Sequence, residues 1–215
     1  SSRTFQLSSK LHQTESGGNE MSRTALFGRY SRRRLEAEAI RDAMLSVSGR
    51  LDDSPGQGHP FPEKSRFSQH GPFYAVYPTL RRSVYIMKQR IKGHPFLTLF
   101  DGADPNASTG VRRNTTTPTQ ALYLLNNPFV HENAVALADD LFKVDQDDQQ
   151  RLRRVYQLTL CRPPGDSELE VSQRFVDRYQ AAAVQSGTAD GDAEKQAWSA
   201  LARTLLVRNE FLFVE

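Results

Sequence analysis

The chain has little cysteine and no long apolar run, and each shortage excludes a class of protein. Cys161 is the only cysteine among 215 residues, so the sequence cannot form an internal disulfide, a zinc site on paired cysteines or a Cys-x-x-Cys-His haem attachment. No apolar run approaches the roughly 20 residues that a transmembrane helix needs. We therefore expect no membrane span, no metal site and no cofactor in this chain.

Charge is nearly balanced overall but unevenly distributed. The formal net charge is +3, yet residues 1–100 hold 16 basic and 8 acidic side chains, whereas residues 101–215 hold 12 and 17. Such polarity indicates that the two halves face each other or face different partners. No nucleic-acid-binding motif frames the basic residues, so we do not expect nucleic acid as a partner.

The first regular element is predicted to be a helix over residues 33–48, after a loop-rich stretch at 1–30. Apolar residues recur there at spacings of three and four, Ser31 can cap the start, and Gly49 can supply a left-handed stop. Three arginines, residues 32–34, would then lie at the positive end of the helix dipole, which is unfavourable unless a nearby anion compensates their charge.

Residues 51–80 carry so many prolines and glycines that a long irregular loop is predicted. Residues 81–89 follow as the one predicted strand, buried on both sides because both alternating faces are apolar. The loop also holds aromatic side chains that are candidates for stacking on a sugar or docking a partner: Phe61, Phe67, Phe73, Tyr74 and Tyr77.

The second half is predicted to be a helical bundle over residues 117–208. Thr117-Pro118-Thr119-Gln120 has the pattern of a capping box, in which the threonine and glutamine side chains each bond the other residue's backbone. Further helix starts are predicted at Asn127, at Asp147 or Asp148, at Asp166 and after a glycine-rich break at 186–191. The predicted fold class is mainly α: a compact helical bundle with a minor β-strand element and long irregular loops.

Five blocks of the sequence, in order, resemble one family. They are Arg32–Gly49, Arg81–Tyr85, Leu99–Asn106, Arg112–Val130 and Leu205–Val214. The family is domain of unknown function 1553, also called planctomycete-specific domain one. The resemblance implies that residues 1–215 are a single domain, truncated at its amino end, from the carboxyl-terminal part of a large exported multidomain protein.

The same resemblance implies the setting and the partners of the chain. Members of this family are apparently exported and often carry a companion domain and a cytochrome-c-like module. We therefore expect an extracytoplasmic location, in the periplasm or at the cell surface, and contact with other domains of the same parent chain. Any redox role would belong to those other modules.

The densest polar cluster precedes the predicted capping box. Backbone donors and guanidinium groups aimed one way would suit a carboxylate, phosphate, sulfate or sugar acid. The candidate anion- or ligand-binding residues are Arg81, Arg82, Asp101, Asp104, Arg112, Arg113, Thr115, Thr116, Thr117 and Gln120. The structural alternative is that the two aspartates pair with these arginines and lock the loop to the strand.

We interpret the chain as a non-catalytic interaction or ligand-binding module, and no catalytic residue is assigned. One alternative is a polysaccharide-directed hydrolase, in which Asp101 and Asp104 form an acid–base pair. Another is a docking module for a cytochrome-c-like partner. His94 with both aspartates could form a metal site, although a loop histidine is the simpler interpretation. Cys161 is expected to be a packed, inert thiol late in a helix.

Overall fold

The computed structural model describes residues 32–55, 79–88, 90, 93–144 and 147–214. The fold is mainly α, as predicted. Its helices are α1 Ala37–Val47, α2 Pro95–Leu99, α3 Pro118–Asn126, α4 Pro128–Val144, α5 Asp148–Leu160, α6 Asp166–Gln185, α7 Asp190–Leu206 and α8 Asn209–Leu212; the strands are β1 Arg33–Arg34 and β2 Phe213–Val214. No helix in the described part is long and apolar enough to cross a membrane.

Several predicted regions lie outside the described residues. They include the loop-rich stretch at 1–30 and the aromatic side chains of the long loop. Of that loop, only residues 51–55 and 79–80 are described. The single-domain interpretation of the whole chain stays a prediction. Within the described ranges, one buried apolar cluster runs from α1 to α8.

Helix α7 is the centre of the bundle and packs along both α4 and α6. Its buried alanines allow the neighbouring backbones to approach closely, and Trp198 fills the space beside them. Leu137 and Leu141 of α4 and Leu205 of α7 are also fully buried. The bundle is therefore stabilised mainly by burial of apolar side chains, each contributing roughly 1.5–3 kcal/mol.

The predicted helix starts at Thr117, Asn127, Asp147 and Asp166 are confirmed, whereas α7 begins at Asp190, inside the predicted glycine-rich break. Thr117 and Gln120 form the capping box at the start of α3, and Asn127 Oδ1 accepts from the Phe129 amide at 2.9 Å at the start of α4. Asp147 caps α5 through the amide of Gln150. These starts depend on contacts between residues two or three positions apart, which is why local sequence predicts them.

Cys161 differs from its prediction. Helix α5 ends at Leu160, and Cys161 follows in the left-handed conformation with φ of 56°. The thiol is exposed. The prediction of a packed cysteine within the helix is wrong because the chain turns away from the core one residue before it.

The predicted helix at 33–48 begins later than expected. Helix α1 begins at Ala37, because Arg33 and Arg34 form β1 and pair antiparallel with β2 at the other end of the chain. The Leu35 amide continues this pairing with a 2.8 Å bond to the Leu212 carbonyl. The predicted stop is confirmed, since Gly49 has φ of 66°.

The prediction of a strand at 81–89 is wrong. Ser83–Tyr85 form a 3-10 turn, and Val84 is 71% exposed rather than buried. Two neighbouring side chains of α1 explain the difference. Asp42 accepts bonds from the Ser83 amide and hydroxyl at 2.8 and 2.6 Å, and Arg41 donates to the carbonyls of Thr79 and Arg81, just before the turn. These polar bonds fix a turn and leave its apolar side chains outside.

Candidate functional site

The predicted polar cluster closes around a buried arginine that the sequence analysis placed in a helix. Arg34 Nη1 donates to Gln120 Oε1 at 3.1 Å and to the Thr115 carbonyl. Its Nη2 donates to the Phe100 carbonyl at 3.1 Å and to Asp101 Oδ2 at 2.7 Å. The Arg34 side chain is only 5% exposed. We call these five residues the Arg34 cluster, and they fix the loop before α3 to β1.

Asp101 is the anionic partner within the Arg34 cluster. Besides Arg34, it accepts 2.9 Å bonds from the amide and the hydroxyl of Thr115. Partial burial alone would raise the pKa of Asp101, but the bonds from the Thr115 amide, Arg34 and the Thr115 hydroxyl lower the pKa below its ordinary value. Asp101 is therefore a fixed, ionised carboxylate rather than a proton donor.

Asp104 has a different environment from Asp101. Its exposed carboxylate accepts bonds from the backbone and side-chain nitrogens of Asn106 at 2.8 and 3.1 Å. The side-chain amide of Asn106 also donates to the Arg90 carbonyl at 3.0 Å, so Asp104 and Asn106 belong to an ordinary turn. The two aspartates have separate partners, and this geometry gives no support to an acid–base pair.

The predicted ligand-binding threonines and glutamine are largely used inside the protein. The Thr117 amide donates to Gln120 Oε1 at 3.1 Å, and the Gln120 amide donates to Thr117 Oγ1 at 3.3 Å. Gln120 Nε2 donates to the Leu99 carbonyl at 2.9 Å. Thr116 is exposed. Thr117 and Gln120 therefore shape the helix start, the Thr115 hydroxyl bonds Asp101, and Thr116 is left at the surface.

Two of the four predicted arginines form ion pairs, but not with the predicted aspartates. Arg112 contacts Glu36 at 3.1 Å and Glu38 at 2.5 Å, which ties the loop before α3 to the start of α1. Arg81 lies 3.4 Å from Asp52. The predicted pairing of these arginines with Asp101 or Asp104 is wrong, because Arg34 reaches Asp101 from β1.

The other two predicted arginines remain open. Arg82 and Arg113 are exposed and pair with no carboxylate in the described ranges. Lys88 is likewise exposed and lies beyond ion-pair distance of any described carboxylate. We call Arg82, Lys88 and Arg113 the three open cations.

The open cations border a groove between β1, α1 and the 3-10 turn. The groove has a volume of about 710 Å³, and its basic lining is Arg33, Arg34, Arg82, Lys88 and Arg112. A smaller cavity of about 340 Å³ shares Arg33 and Arg112 with this groove and reaches Arg113. We call the groove with this smaller cavity the arginine groove.

The acidic side chains of the arginine groove already have partners. Asp42 is bonded to Ser83, and Glu38 is bonded to Arg112. Burial alone would raise the pKa of Glu38, but the hydrogen bond and the charge of Arg112, together with a smaller effect of the Lys88 charge, lower it. Because these acids are paired, the three open cations determine the charge of the exposed surface.

Sequence reasoning missed the role of Arg34, and one signal could have found it. Three consecutive arginines at a helix start oppose the helix dipole, so that placement was unfavourable. In the structure, Arg34 belongs to a strand instead. Lys88 gave no comparable signal, because it lay in a segment predicted to be a buried strand.

No group of three histidine, cysteine or acidic side chains comes together in the described residues in a way that could hold a metal ion. His94, Asp101 and Asp104 therefore do not form the metal site that the sequence analysis considered. The expectation that the chain carries no metal or cofactor stays a prediction.

Comparison with known proteins gives one family. The family model described as "PSD1: Protein of unknown function (DUF1553)" matches residues 1–176. The match includes the Arg34 cluster and all basic residues of the arginine groove, and it ends within α6. No curated protein and no solved structure matches the chain.

Proposed function

We propose that this chain, which belongs to the PSD1 family of proteins of unknown function (DUF1553), is a non-catalytic module that binds an acidic polysaccharide in the arginine groove. One observation carries the proposal. The three open cations stand around a groove whose own acidic side chains are already bonded to Arg112, Ser83 or, for Asp101, to Arg34 and Thr115. Such a surface attracts anions and has few acids left to repel them.

The shape of the arginine groove favours a polymer over a single small anion. Its two parts together extend from Lys88 to Arg113. An exposed ion pair contributes only about 0.2–1 kcal/mol, so one anion on one open cation would bind weakly. A chain of sugar acids meets several cations at once, and the linked contacts reinforce one another.

The protonation of the nearby acids supports a binding role over a hydrolytic one. A glycoside hydrolase needs one carboxyl group whose pKa is raised so that it can donate a proton. The pKa values of Asp101 and Glu38 are instead lowered by their bonds to Thr115, Arg34 and Arg112. The carboxylates beside the groove therefore hold arginines in place.

The cellular setting is part of this proposal and depends on the family resemblance. We propose an extracytoplasmic module of a multidomain parent, with other domains of that parent as neighbours. Polysaccharides are common outside the cytoplasm, which accords with this setting. Docking on a cytochrome-c-like partner stays a prediction from the family, and no contact of the arginine groove favours it.

The proposal is tested with polygalacturonate as the acidic probe and dextran as its neutral counterpart. Wild type is expected to bind polygalacturonate and not dextran, and the binding should weaken as salt increases. Replacing Arg82, Lys88 and Arg113 together by alanine should weaken the binding about tenfold or more. Isothermal titration calorimetry measures both affinities.

A matched triple variant separates a defined site from bulk charge. Arg153, Arg178 and Lys195 are exposed residues of α5, α6 and α7, and replacing them by alanine removes the same charge far from β1. This control should bind like wild type. Equal weakening by both triples, equal binding of dextran, or no binding of polygalacturonate by wild type would each refute the proposal.

A further inference from the structure

A second cavity lies among α1, α2, α3 and α4. Its volume is about 540 Å³, and it shares no lining residue with the arginine groove. Its polar and aromatic lining includes Arg41, Arg50, His94, Tyr123, Asn127 and Phe129. Cavities that bind small organic molecules have roughly 300–1,000 Å³ and combine aromatic walls with a few polar groups.

The walls of this cavity are suited to a ring. Tyr123 and Phe129 are both half-buried, and each packs edge-on against Phe96 with ring centroids 5.7 Å apart. Phe96 is itself buried and stacks on Phe100 at 4.6 Å. The two wall rings are therefore held in place before any ligand arrives, which favours stacking of a further ring.

Two arginines, Arg41 and Arg50, and one acid, Glu132, line the cavity. Arg41 is buried, and its hydrogen bonds go to the carbonyls of Thr79 and Arg81 and to the Ser83 hydroxyl. The carboxylate of Asp42 lies 3.5 Å away but is itself bonded to Ser83. Arg41 therefore forms an ion pair with Asp42, and Arg50 is the lining arginine whose guanidinium keeps a buried nitrogen without a hydrogen-bond partner in the described residues.

The neighbouring titratable groups respond to this environment. Burial and the Arg41 charge lower the pKa of His94 from 6.5 to about 4. Burial raises the pKa of Tyr123, although Arg41 opposes the change. Both side chains are neutral at pH 7, and each can donate or accept a hydrogen bond.

Two residues that line the cavity have nitrogen atoms that lack a hydrogen-bond partner. Arg50 Nη1 and His94 Nδ1 are buried, and neither has a partner in the described part of the chain. Buried polar atoms are nearly always bonded. Arg50 Nη2 pairs with Glu132 at 2.9 Å, and the two side chains are 24% and 60% exposed, so this pair can rearrange at low cost.

We propose that this cavity binds a small carboxylic acid that carries one ring. The ring lies against Tyr123 and Phe129, and the carboxylate accepts from Arg50 Nη1 after a small rotation of the Arg50–Glu132 pair. His94 bonds a polar substituent of the ring. The site is separate from the arginine groove, so the two proposals stand or fall independently.

The first experiment asks which acid binds to the full chain. Benzoate and galacturonate serve as probes of the aromatic and the sugar source, with benzyl alcohol and galactose as neutral counterparts. NMR titration should show that at least one acid shifts the signals of His94 and Tyr123 and binds about tenfold more tightly than its neutral counterpart. No shift with either acid, or equal affinity for acid and neutral probe, would overturn the proposal.

The second experiment uses variants. Arg50→Gln should weaken binding of the acid about tenfold and leave the neutral probe unchanged, whereas Phe129→Leu should weaken both several-fold. Arg153→Gln, at an exposed position of α5, is the matched control and should change neither. Thermal unfolding verifies that each variant folds. If Phe129→Leu does not fold, Arg50→Gln alone tests the proposal, and unchanged binding of the acid by that variant overturns it.

The two sites are distinguished by the triple variant of the open cations. Replacement of Arg82, Lys88 and Arg113 should leave binding of the small acid unchanged while weakening that of polygalacturonate. If the triple variant also loses the small acid, the acid binds in the arginine groove and the cavity proposal is wrong.

Discussion

The two halves of the described fold are held together in different ways. In the bundle of α4–α7, the fully buried side chains include Trp198, Leu137 and Leu205. In the half that contains β1, α1, α2 and the loop before α3, apolar side chains such as Ile40 and Phe96 are also buried, and Arg34 and Arg41 are buried beside them. We call this second half the arginine-held half. The difference shows that one chain combines apolar packing of regular helices with polar fixation of irregular backbone.

The need for buried arginine follows from the backbone of the arginine-held half. Irregular segments leave carbonyl oxygens without helical or sheet partners, and buried carbonyls require donors. Arg34 supplies them to Phe100 and Thr115, and Arg41 supplies them to Thr79 and Arg81. The guanidinium group suits this task because it presents five donors in one plane.

The largest effect is expected where one arginine serves several partners. Arg34→Met should reduce the free energy of unfolding by about 4 kcal/mol, because Asp101 loses its cationic partner and the carbonyls of Phe100 and Thr115 lose the donor that Arg34 supplies. In hydrogen exchange, the amides near Thr115 should lose protection before those of α7. Arg33→Met is the control, since that side chain is 66% exposed. A loss under about 1 kcal/mol would contradict the distinction between the two halves.

A core truncation in the bundle should act differently. Leu137→Ala should cost about 3 kcal/mol through lost burial and a residual cavity. Because Leu137 lies in the cluster that joins α4 to the other helices, the loss should lower protection throughout the bundle. Denaturant unfolding with hydrogen exchange measures both quantities. A loss of protection confined to α4 would show that the bundle is less cooperative than its packing indicates.

The two halves should also differ in their response to acid. The pKa of His94 is about 4 in the fold against 6.5 in the unfolded chain, so only the unfolded chain binds this proton between those values. Stability is therefore full above about pH 6.5 and falls as the pH drops towards 4, by about 1–2 kcal/mol after allowance for the partial exposure of the ring. His94→Gln should remove this slope in pH-dependent denaturant unfolding. An unchanged slope would contradict the assignment to His94.

The bundle should respond only at lower pH. Bonds from Arg162 lower the pKa of Glu168 to about 2. The stability from this pair is present above the ordinary pKa of a glutamate and is lost as the pH falls towards 2. The acid response of the His94→Gln variant should therefore be confined to the region below about pH 4.5.

The smallest of these effects is at the boundary between the halves. Thr117→Ala removes the hydroxyl that accepts from the Gln120 amide and should cost about 1 kcal/mol. Thr119 is the exposed second residue of α3, and Thr119→Ala should lower the free energy of unfolding by less. Thermal unfolding compares the pair, and equal midpoints would mean that the capping box contributes little to the start of α3.

The bundle could be predicted from the sequence because its determinants are local. Thr117 with Gln120, and Asn127 with Phe129, lie within one helical turn of each other. Helical spacing of the apolar residues then identifies the buried face. Neither kind of pattern depends on how distant parts of the chain are arranged.

The arginine-held half could not be predicted in the same way. Arg34 bonds to residues of the loop before α3, far along the chain. The spacing of apolar residues in the sequence does not predict such a contact. The segment 81–89 shows the same problem in reverse. Its apolar residues indicate a strand, but the bond that Arg41 donates to the Arg81 carbonyl and the bond that Asp42 accepts from the Ser83 amide impose a turn. Consequently the candidate ligand-binding residues divide into supports, such as Asp101, and exposed cations, such as Arg82.

The antiparallel pairing of Arg33 with Val214 and of Arg34 with Phe213 has a mechanical consequence. The chain enters before Arg33 and leaves after Val214 at the same end of the two-stranded ladder. Tension applied between these two points would peel the ladder one bond at a time instead of shearing all its bonds together. Rupture under load should then start at β1 and pass to the Arg34 cluster, while the bundle still holds its length.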